Sequence, residues 1–152
     1  MARKWTRLYF GKYKGKTLPW IIFHDPDYFF WACEEGVFEN KDRLHEEAEE
    51  LYRKSQSIKI PGDKSNKYVM EYTFSSRGGS FRVLEKVPRT QEIHARSTRR
   101  EVIDFREVKG PYDKQAYKLF IPSVKYILFG DRSHKMTEKR CQSFFNKKDN
   151  FI

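Results

Sequence analysis

Apolar and polar positions follow the repeat of a helix most clearly between residues 41 and 54, "KDRLHEEAEELYRK". Apolar side chains recur there at the i, i+4, i+7 and i+8 spacing of one helix face; they are Leu44, Ala48, Leu51 and Tyr52. Glu49–Arg53 and Glu50–Lys54 are oppositely charged pairs four residues apart, a spacing that supports a helix. The pattern predicts an amphipathic helix whose acidic face is solvated.

Two stretches of strand-forming composition follow, "KYVMEYTF" (67–74) and "SFRVLEKV" (80–87). They flank residues 75–79, where Gly78-Gly79 predicts the turn of a β-hairpin. The basic stretch "PRTQEIHARSTRR" (88–100) is polar throughout and is predicted to be a long exposed loop. A third strand is predicted over "EVIDFREV" (101–108).

Capping residues predict two short helices near the start of the chain. Thr17 has the side chain of an N-cap and precedes a short apolar run over residues 18–23. Asp25-Pro26 predicts a second N-cap with proline at the first helical position. This second helix is expected to run to about Glu35 and to end at Gly36, in the left-handed conformation that glycine adopts easily. Residues 5–10 are expected to form a short strand.

The C-terminal part of the sequence clearly predicts one helix and leaves the secondary structure of another segment undecided. Thr137 predicts the N-cap of a last helix whose buried side includes Phe144 and Phe145. In residues 113–130 a helical pattern is interrupted by Pro122, so the residues after it fit either a further helical turn or a buried strand.

Together these elements predict an α+β fold. An N-terminal helical mini-module (residues 1–39) and the amphipathic helix (40–56) precede a basic α+β region (57–152), with a small antiparallel sheet and C-terminal helices. The polar Pro-Gly segment 55–66 is the expected boundary.

Composition and charge narrow the possible partners. Aromatic residues make up 16% of the 152 residues, which gives a small domain bulky side chains for its core. The net charge is +10, and its excess lies in residues 55–152, with twenty-one basic and eleven acidic side chains. This excess of positive charge favours a polyanionic partner, and nucleic acid is the first candidate. The sequence predicts no membrane span, and its two cysteines, without a disulfide framework, favour the cytoplasm.

Residues 10–32, "FGKYKGKTLPWIIFHDPDYFFWA", combine rings, lysines and glycines in one segment. The segment resembles the C-terminal module of exodeoxyribonuclease X-like proteins over roughly residues 8–38. The matching positions are Phe10, Gly11, Lys12, Tyr13, Lys14, Gly15, Asp25, Pro26, Tyr28 and Trp31. The resemblance implies the fold of a small module without a settled role of its own, and nothing here resembles the catalytic exonuclease domain.

The residues of this segment also predict a binding edge. Five of its rings are expected to pack as the core of the mini-module; they are Phe10, Tyr13, Trp20, Phe23 and Trp31. Lys12, Lys14 and Lys16 alternate and would rim that core, gripping phosphate while one exposed ring stacks on a base. The predicted nucleic-acid-binding residues are therefore Lys12, Tyr13, Lys14 and Lys16, together with Arg89, Arg96, Arg99 and Arg100 of the predicted loop.

We expect a non-enzymatic nucleic-acid-binding or accessory protein of DNA metabolism, of phage type, without a cofactor. One alternative is a small nuclease in which Glu107 holds Mg²⁺ and Lys109 stabilises the developing phosphorane or orients water, since Glu-x-Lys on a strand resembles restriction-endonuclease-like sites. Glu71, Glu85 and Glu92 are the candidates for its second carboxylate. Another alternative is an interaction or inhibitor protein that binds an acidic partner. The pattern leaves the oligomeric state open.

Overall fold

The computed structural model describes residues 4–75, 79–108 and 115–152. These residues form five α-helices, a three-stranded antiparallel sheet and a 3₁₀ helix. In chain order they are α1 (Leu18–His24), α2 (Pro26–Glu34), α3 (Asp42–Lys54), β1 (Tyr68–Phe74), β2 (Phe81–Pro88), β3 (Ser97–Arg100), α4 (Ala116–Phe129), α5 (Glu138–Asn146) and the 3₁₀ helix (Lys148–Asn150). The predicted α+β fold, with helices before and after the strands of a small antiparallel sheet in chain order, is confirmed.

The chain divides into two compact units. The first contains the chain up to Lys54 together with Lys135–Phe151, so the C-terminal helix packs with the N-terminal helices. The second contains Ser55–His134, with the sheet and α4, and also the last residue.

Local capping explains where the helices of the first unit begin. Asp25 precedes Pro26 at the start of α2, and its carboxylate accepts a hydrogen bond from the Tyr28 amide at 3.1 Å. Thr137 caps α5 in the same way. Thr17 precedes α1 as predicted, but its hydroxyl donates to Glu138 Oε1 at 2.5 Å instead of capping its own helix. A carboxylate from the first turn of α5 therefore holds the start of α1.

Phenylalanine rings fill the interior of the first unit. The buried rings come from α1, α2, α5 and the chain end; they are Phe23, Phe29, Phe30, Phe144, Phe145 and Phe151. Phe145 contacts the rings of Phe23, Phe144 and Phe151 at centroid distances of 5.8, 5.2 and 5.7 Å. The predicted burial of Phe144 and Phe145 is confirmed.

One carboxylate of α3 is buried, although the sequence predicted a solvated acidic face. Glu47 is 1% exposed and accepts hydrogen bonds from the Thr6 amide at 3.1 Å and the Thr6 hydroxyl at 2.7 Å. The partner lies forty-one residues away in the chain, so no helical spacing could indicate it. The expected i,i+4 pair between Glu50 and Lys54 forms, at 2.9 Å.

Glu47→Ala is expected to lower the free energy of unfolding by about 1–3 kcal/mol, because both Thr6 donors lose their partner in a buried site. Urea denaturation followed by circular dichroism measures this loss. Glu46→Ala is the matched control, since Glu46 is exposed on the same helix. Equal stability of the two variants would contradict the role assigned to Glu47.

The sheet of the second unit has the strand order β2-β1-β3. The predicted hairpin strands are confirmed, with Tyr68 paired to Pro88 and Tyr72 to Leu84; Gly78 of the predicted turn lies outside the described residues. The third strand was predicted at 101–108, which is wrong: it is Ser97–Arg100, inside the predicted loop 88–100.

Side chains of β1 explain this placement. Glu71 lies directly opposite Arg99 in the register and forms an ion pair with it at 2.9 Å. The Tyr72 hydroxyl accepts the Asp104 amide hydrogen and donates to the Val102 carbonyl, which fixes the chain after β3 in turns. Ile103 contributes only an isolated bridge, to Ile58.

Helix α4 is continuous through Pro122 and ends at Phe129, followed by Gly130 as its C-cap with φ +76°. The residues after Pro122, which the sequence left open between a helical turn and a strand, are therefore helical. Phe120 is fully buried and contacts the rings of Phe81 and Phe105 at 5.7 and 5.0 Å. Packing against the sheet therefore stabilises the helix despite its proline. Across the described ranges, no helix is both long and apolar enough to cross a bilayer.

Candidate nucleic-acid interface

The loop that precedes α1 is closed by its own backbone. Leu8 donates to the Lys16 carbonyl at 2.9 Å and accepts from the Gly15 amide at 2.8 Å. Gly11 and Gly15 both have positive φ, +77° and +89°. A Cβ on Gly11 would lie 3.3 Å from the Tyr28 hydroxyl, so the loop passes close to α2 at that point. The predicted strand 5–10 does not form, since only Arg7 makes an isolated bridge, to Thr17.

Asp25 joins this loop to α2. Its Oδ2 accepts the Tyr13 hydroxyl hydrogen at 2.5 Å and lies 3.5 Å from Lys12 Nζ, while Oδ1 caps α2 through the Tyr28 amide. Burial, followed by the hydrogen bond to Asp25, raises the pKa of Tyr13 to about 12. Burial and the Asp25 charge also raise the pKa of Tyr28. The matching residues of the Gly-Lys-Tyr-Lys-Gly and Asp-Pro motifs thus make one connected structure.

The Tyr13 phenol is expected to titrate near pH 12, not near its ordinary value of 10.0. Because the raised pKa belongs to the folded state, the unfolded chain loses this proton first. The resulting stability is complete below pH 10.0 and is lost as the pH rises through about 12. The difference in tyrosinate absorbance between the wild type and Tyr13→Phe measures the midpoint, and a midpoint near 10.0 would contradict this environment.

Four rings on this side of the unit form a chain of contacts that we call the aromatic row: Trp20, Tyr13, Tyr28 and Trp31. Successive centroids are 5.8, 5.0 and 5.9 Å apart, with interplanar angles of 59°, 79° and 44°. His24 stacks on Trp20 at 3.8 Å with an interplanar angle of 9°. No ring of the row is fully buried.

Lysines lie against one end of the aromatic row. Lys16 Nζ is 4.5 Å from the Trp20 centroid, and Lys12 Nζ is 5.4 Å from that of Tyr13. Lys14 is exposed between them in the loop. These contacts are cation–π geometries. The structure therefore brings together four residues predicted as a binding site: Lys12, Tyr13, Lys14 and Lys16.

The predicted ring core is largely wrong. Of its five rings only Phe23 is buried, and Trp31 is 51% exposed. Trp31 is exposed because of the helix geometry of α2: Phe29 and Phe30 face the core and leave Trp31 on the outer side. The sequence contains a signal for one contact of the row: Tyr28 and Trp31 are three residues apart, so they share a helix face. Trp20 and His24, which stacks on the row, are four residues apart and share a face in the same way.

The predicted arginine cluster lies in the second unit, and three of its members form ion pairs. Arg89 binds Glu101 through two nitrogens at 2.7 and 2.6 Å. Arg99 pairs with the buried Glu71. Arg100 pairs with Glu107 at 2.8 Å and Asp104 at 3.4 Å. Arg96 is exposed. These carboxylates compete with phosphate for the same donors.

Glu107 of the nuclease alternative does not lie on a strand. Glu107 lies in a turn and binds Arg100, and Lys109 lies outside the described residues. Glu71 and Glu85 are opposite each other on paired strands, and Glu92 is exposed in the following loop. Within residues 4–75, 79–108 and 115–152, no group of three or more His, Cys, Asp and Glu side chains has the arrangement of a metal site.

A groove of about 330 Å³ lies between α2 and α3 of the first unit. Glutamates dominate its polar lining: Glu34, Glu39 and Glu49, with His45 bound to Glu49 at 3.0 Å. Its charge does not suit a polyanion or an acidic protein.

Comparison with protein-family models, with curated proteins and with solved structures gives no match for this chain. The resemblance to the exodeoxyribonuclease X-like module stays a prediction.

Proposed function

We propose that this protein binds nucleic acid without cleaving it, as an accessory protein of DNA metabolism, and that it does so through the aromatic row and the adjacent lysines. The observation that carries the proposal is the contact of partly exposed rings with Lys12 and Lys16 on one surface. Proteins that bind nucleic acid without sequence preference combine cations for the phosphates with rings for the bases.

We call the segment that carries Lys12, Lys14 and Lys16 the lysine loop. Of the two predicted cationic surfaces, the lysine loop is the more accessible to phosphate. Lys12 is 65% exposed in its side chain and has a long 3.5 Å contact to Asp25. Arg89 and Arg99 instead hold carboxylates at hydrogen-bond distance. A phosphate would have to displace those carboxylates, whereas it can approach Lys12 and Lys14 directly. The net charge of +10 adds long-range attraction that both surfaces share.

Replacing Lys12, Lys14 and Lys16 together by alanine is expected to weaken binding and to flatten its salt dependence. Each phosphate contact that is lost should reduce the slope of log affinity against log salt by about 0.7–0.9. The measurement is fluorescence anisotropy of a labelled oligonucleotide at several salt concentrations. It is run with and without Mg²⁺, and a gel of the same samples reports cleavage.

The matched control removes the same charge elsewhere. Lys59, Lys64 and Lys67 are exposed in the second unit, and their triple alanine variant is expected to keep most of the affinity and slope. Equal weakening in both variants would contradict the lysine loop as the binding surface. Mg²⁺-dependent cleavage lost in Glu107→Ala would support the nuclease alternative, and salt-insensitive binding to an acidic protein alone would support the interaction alternative.

A further inference from the structure

We infer that the aromatic row selects single-stranded over double-stranded nucleic acid, by stacking an unpaired base on its terminal ring Trp31. This inference rests on the proposed function and goes beyond it in naming the form of the ligand. In a duplex, neighbouring pairs cover each base face, so an exposed ring reaches a face only where a base is unpaired or unstacked.

The geometry of the row limits where a base can stack. Its inner rings, Tyr13 and Tyr28, meet edge to face at 79°, and the Tyr13 hydroxyl is held by Asp25. Each inner ring thus has neighbours on both sides within the row. Of the two terminal rings, Trp20 has His24 stacked on it at 3.8 Å and Lys16 Nζ 4.5 Å from its centroid. Trp31 is therefore the terminal ring that can offer a flat face to a base.

Trp31 is the platform at one end. It is 51% exposed, and its ring contact within the row is Tyr28, tilted by 44°. Tryptophan offers the largest ring face of any side chain at little cost in side-chain entropy. Asp27, Glu34 and Glu35, which are close to Trp31 in the chain, are acidic, which repels phosphate from this end. Trp31 is therefore assigned to a base and not to the backbone.

The other end of the row supplies the cations. His24 lies parallel to Trp20 at 3.8 Å and is exposed, so its second face points away from Trp20. Its Nδ1 lies 2.8 Å from the Trp20 carbonyl, which holds the imidazole in place. Lys16 lies over Trp20 and Lys12 over Tyr13. Phosphates are assigned to this end, so the row has a base-binding end and a phosphate-binding end.

The test compares a labelled oligothymidylate, an oligouridylate of equal length and the thymidylate–adenylate duplex by fluorescence anisotropy. We expect both single strands to bind more tightly than the duplex. Trp31→Ala should weaken single-strand binding about five- to hundredfold, the range for one base–aromatic stack, with an unchanged salt slope. Lys16→Ala should flatten the slope, and Trp31→Phe should recover most of the affinity.

Tyr126→Ala is the control, because Tyr126 is an exposed ring of the second unit with Arg132 over its face at 5.2 Å. The Tyr126→Ala variant should bind the single strands with the affinity of the wild type. Duplex binding as tight as single-strand binding, or wild-type affinity in a folded Trp31→Ala variant, would overturn this inference and leave the proposed function standing. Absence of binding to all three oligonucleotides would overturn both.

Discussion

Phe145→Ala is expected to lower the free energy of unfolding by about 3–5 kcal/mol, the range for truncating a fully buried phenylalanine. The ring has no exposed surface and contacts three others, from α1, α5 and the chain end. Its removal leaves a cavity that these rings cannot all fill. Because α5 packs with the N-terminal helices, the loss should be seen in the first unit.

Tryptophan fluorescence during urea denaturation measures this loss of stability in the first unit. Trp5 is buried, and its indole donates to Asn146 of α5 at 2.9 Å, so it reports the attachment of that helix. Ser143→Ala is the control on the same helix, since Ser143 is exposed. A loss below about 0.5 kcal/mol, the size of an ordinary surface change, would show that α5 does not complete this core.

Asp25→Ala has the second largest expected effect, about 2–4 kcal/mol. The substitution removes the N-cap of α2 and the charged acceptor of the Tyr13 hydroxyl at once. Both inner rings of the aromatic row then lose the group that positions them. Nucleic-acid affinity should fall as well, although Asp25 is acidic and its removal adds net positive charge.

Asp25→Asn separates the charge of this side chain from its hydrogen bonds. Asparagine is as good an N-cap as aspartate and still accepts the Tyr13 hydrogen bond, so most stability and binding should return. Thermal unfolding gives the stability, and anisotropy at a temperature where each variant is folded gives the affinity. Tighter binding by Asp25→Ala would mean that charge alone governs the interaction, and would contradict the positioning role.

The parts of the fold that depend on neighbouring residues could be predicted from the sequence. Asp25-Pro26 and Thr137 start helices because a cap needs only a few adjacent residues. The third strand could not be located in this way. Its position depends on the pairing of Arg99 with Glu71, twenty-eight residues away, and composition favours the apolar run after it.

The candidate site likewise contains residues that a local pattern predicts and residues whose placement depends on tertiary packing. Lys12, Tyr13, Lys14 and Lys16 are predicted from their alternation around two glycines, which is a local pattern. The exposure of Trp31 was missed because it depends on which side of α2 faces the core. That choice is made by Phe29 and Phe30, which are fully buried inside the first unit. Glu47 was missed for a similar reason, since Thr6 approaches it from a distant part of the chain.

The most direct measurement of the proposed interface is a proton–nitrogen correlation spectrum of the three tryptophan indoles, titrated with a short oligothymidylate. Trp20 and Trp31 are the two ends of the aromatic row, while Trp5 is buried and bonded to Asn146, so it serves as an internal reference. The account predicts that the Trp20 and Trp31 signals move with the added strand and that the Trp5 signal stays in place. Saturated binding with both row signals unmoved would place the interface elsewhere and contradict the account.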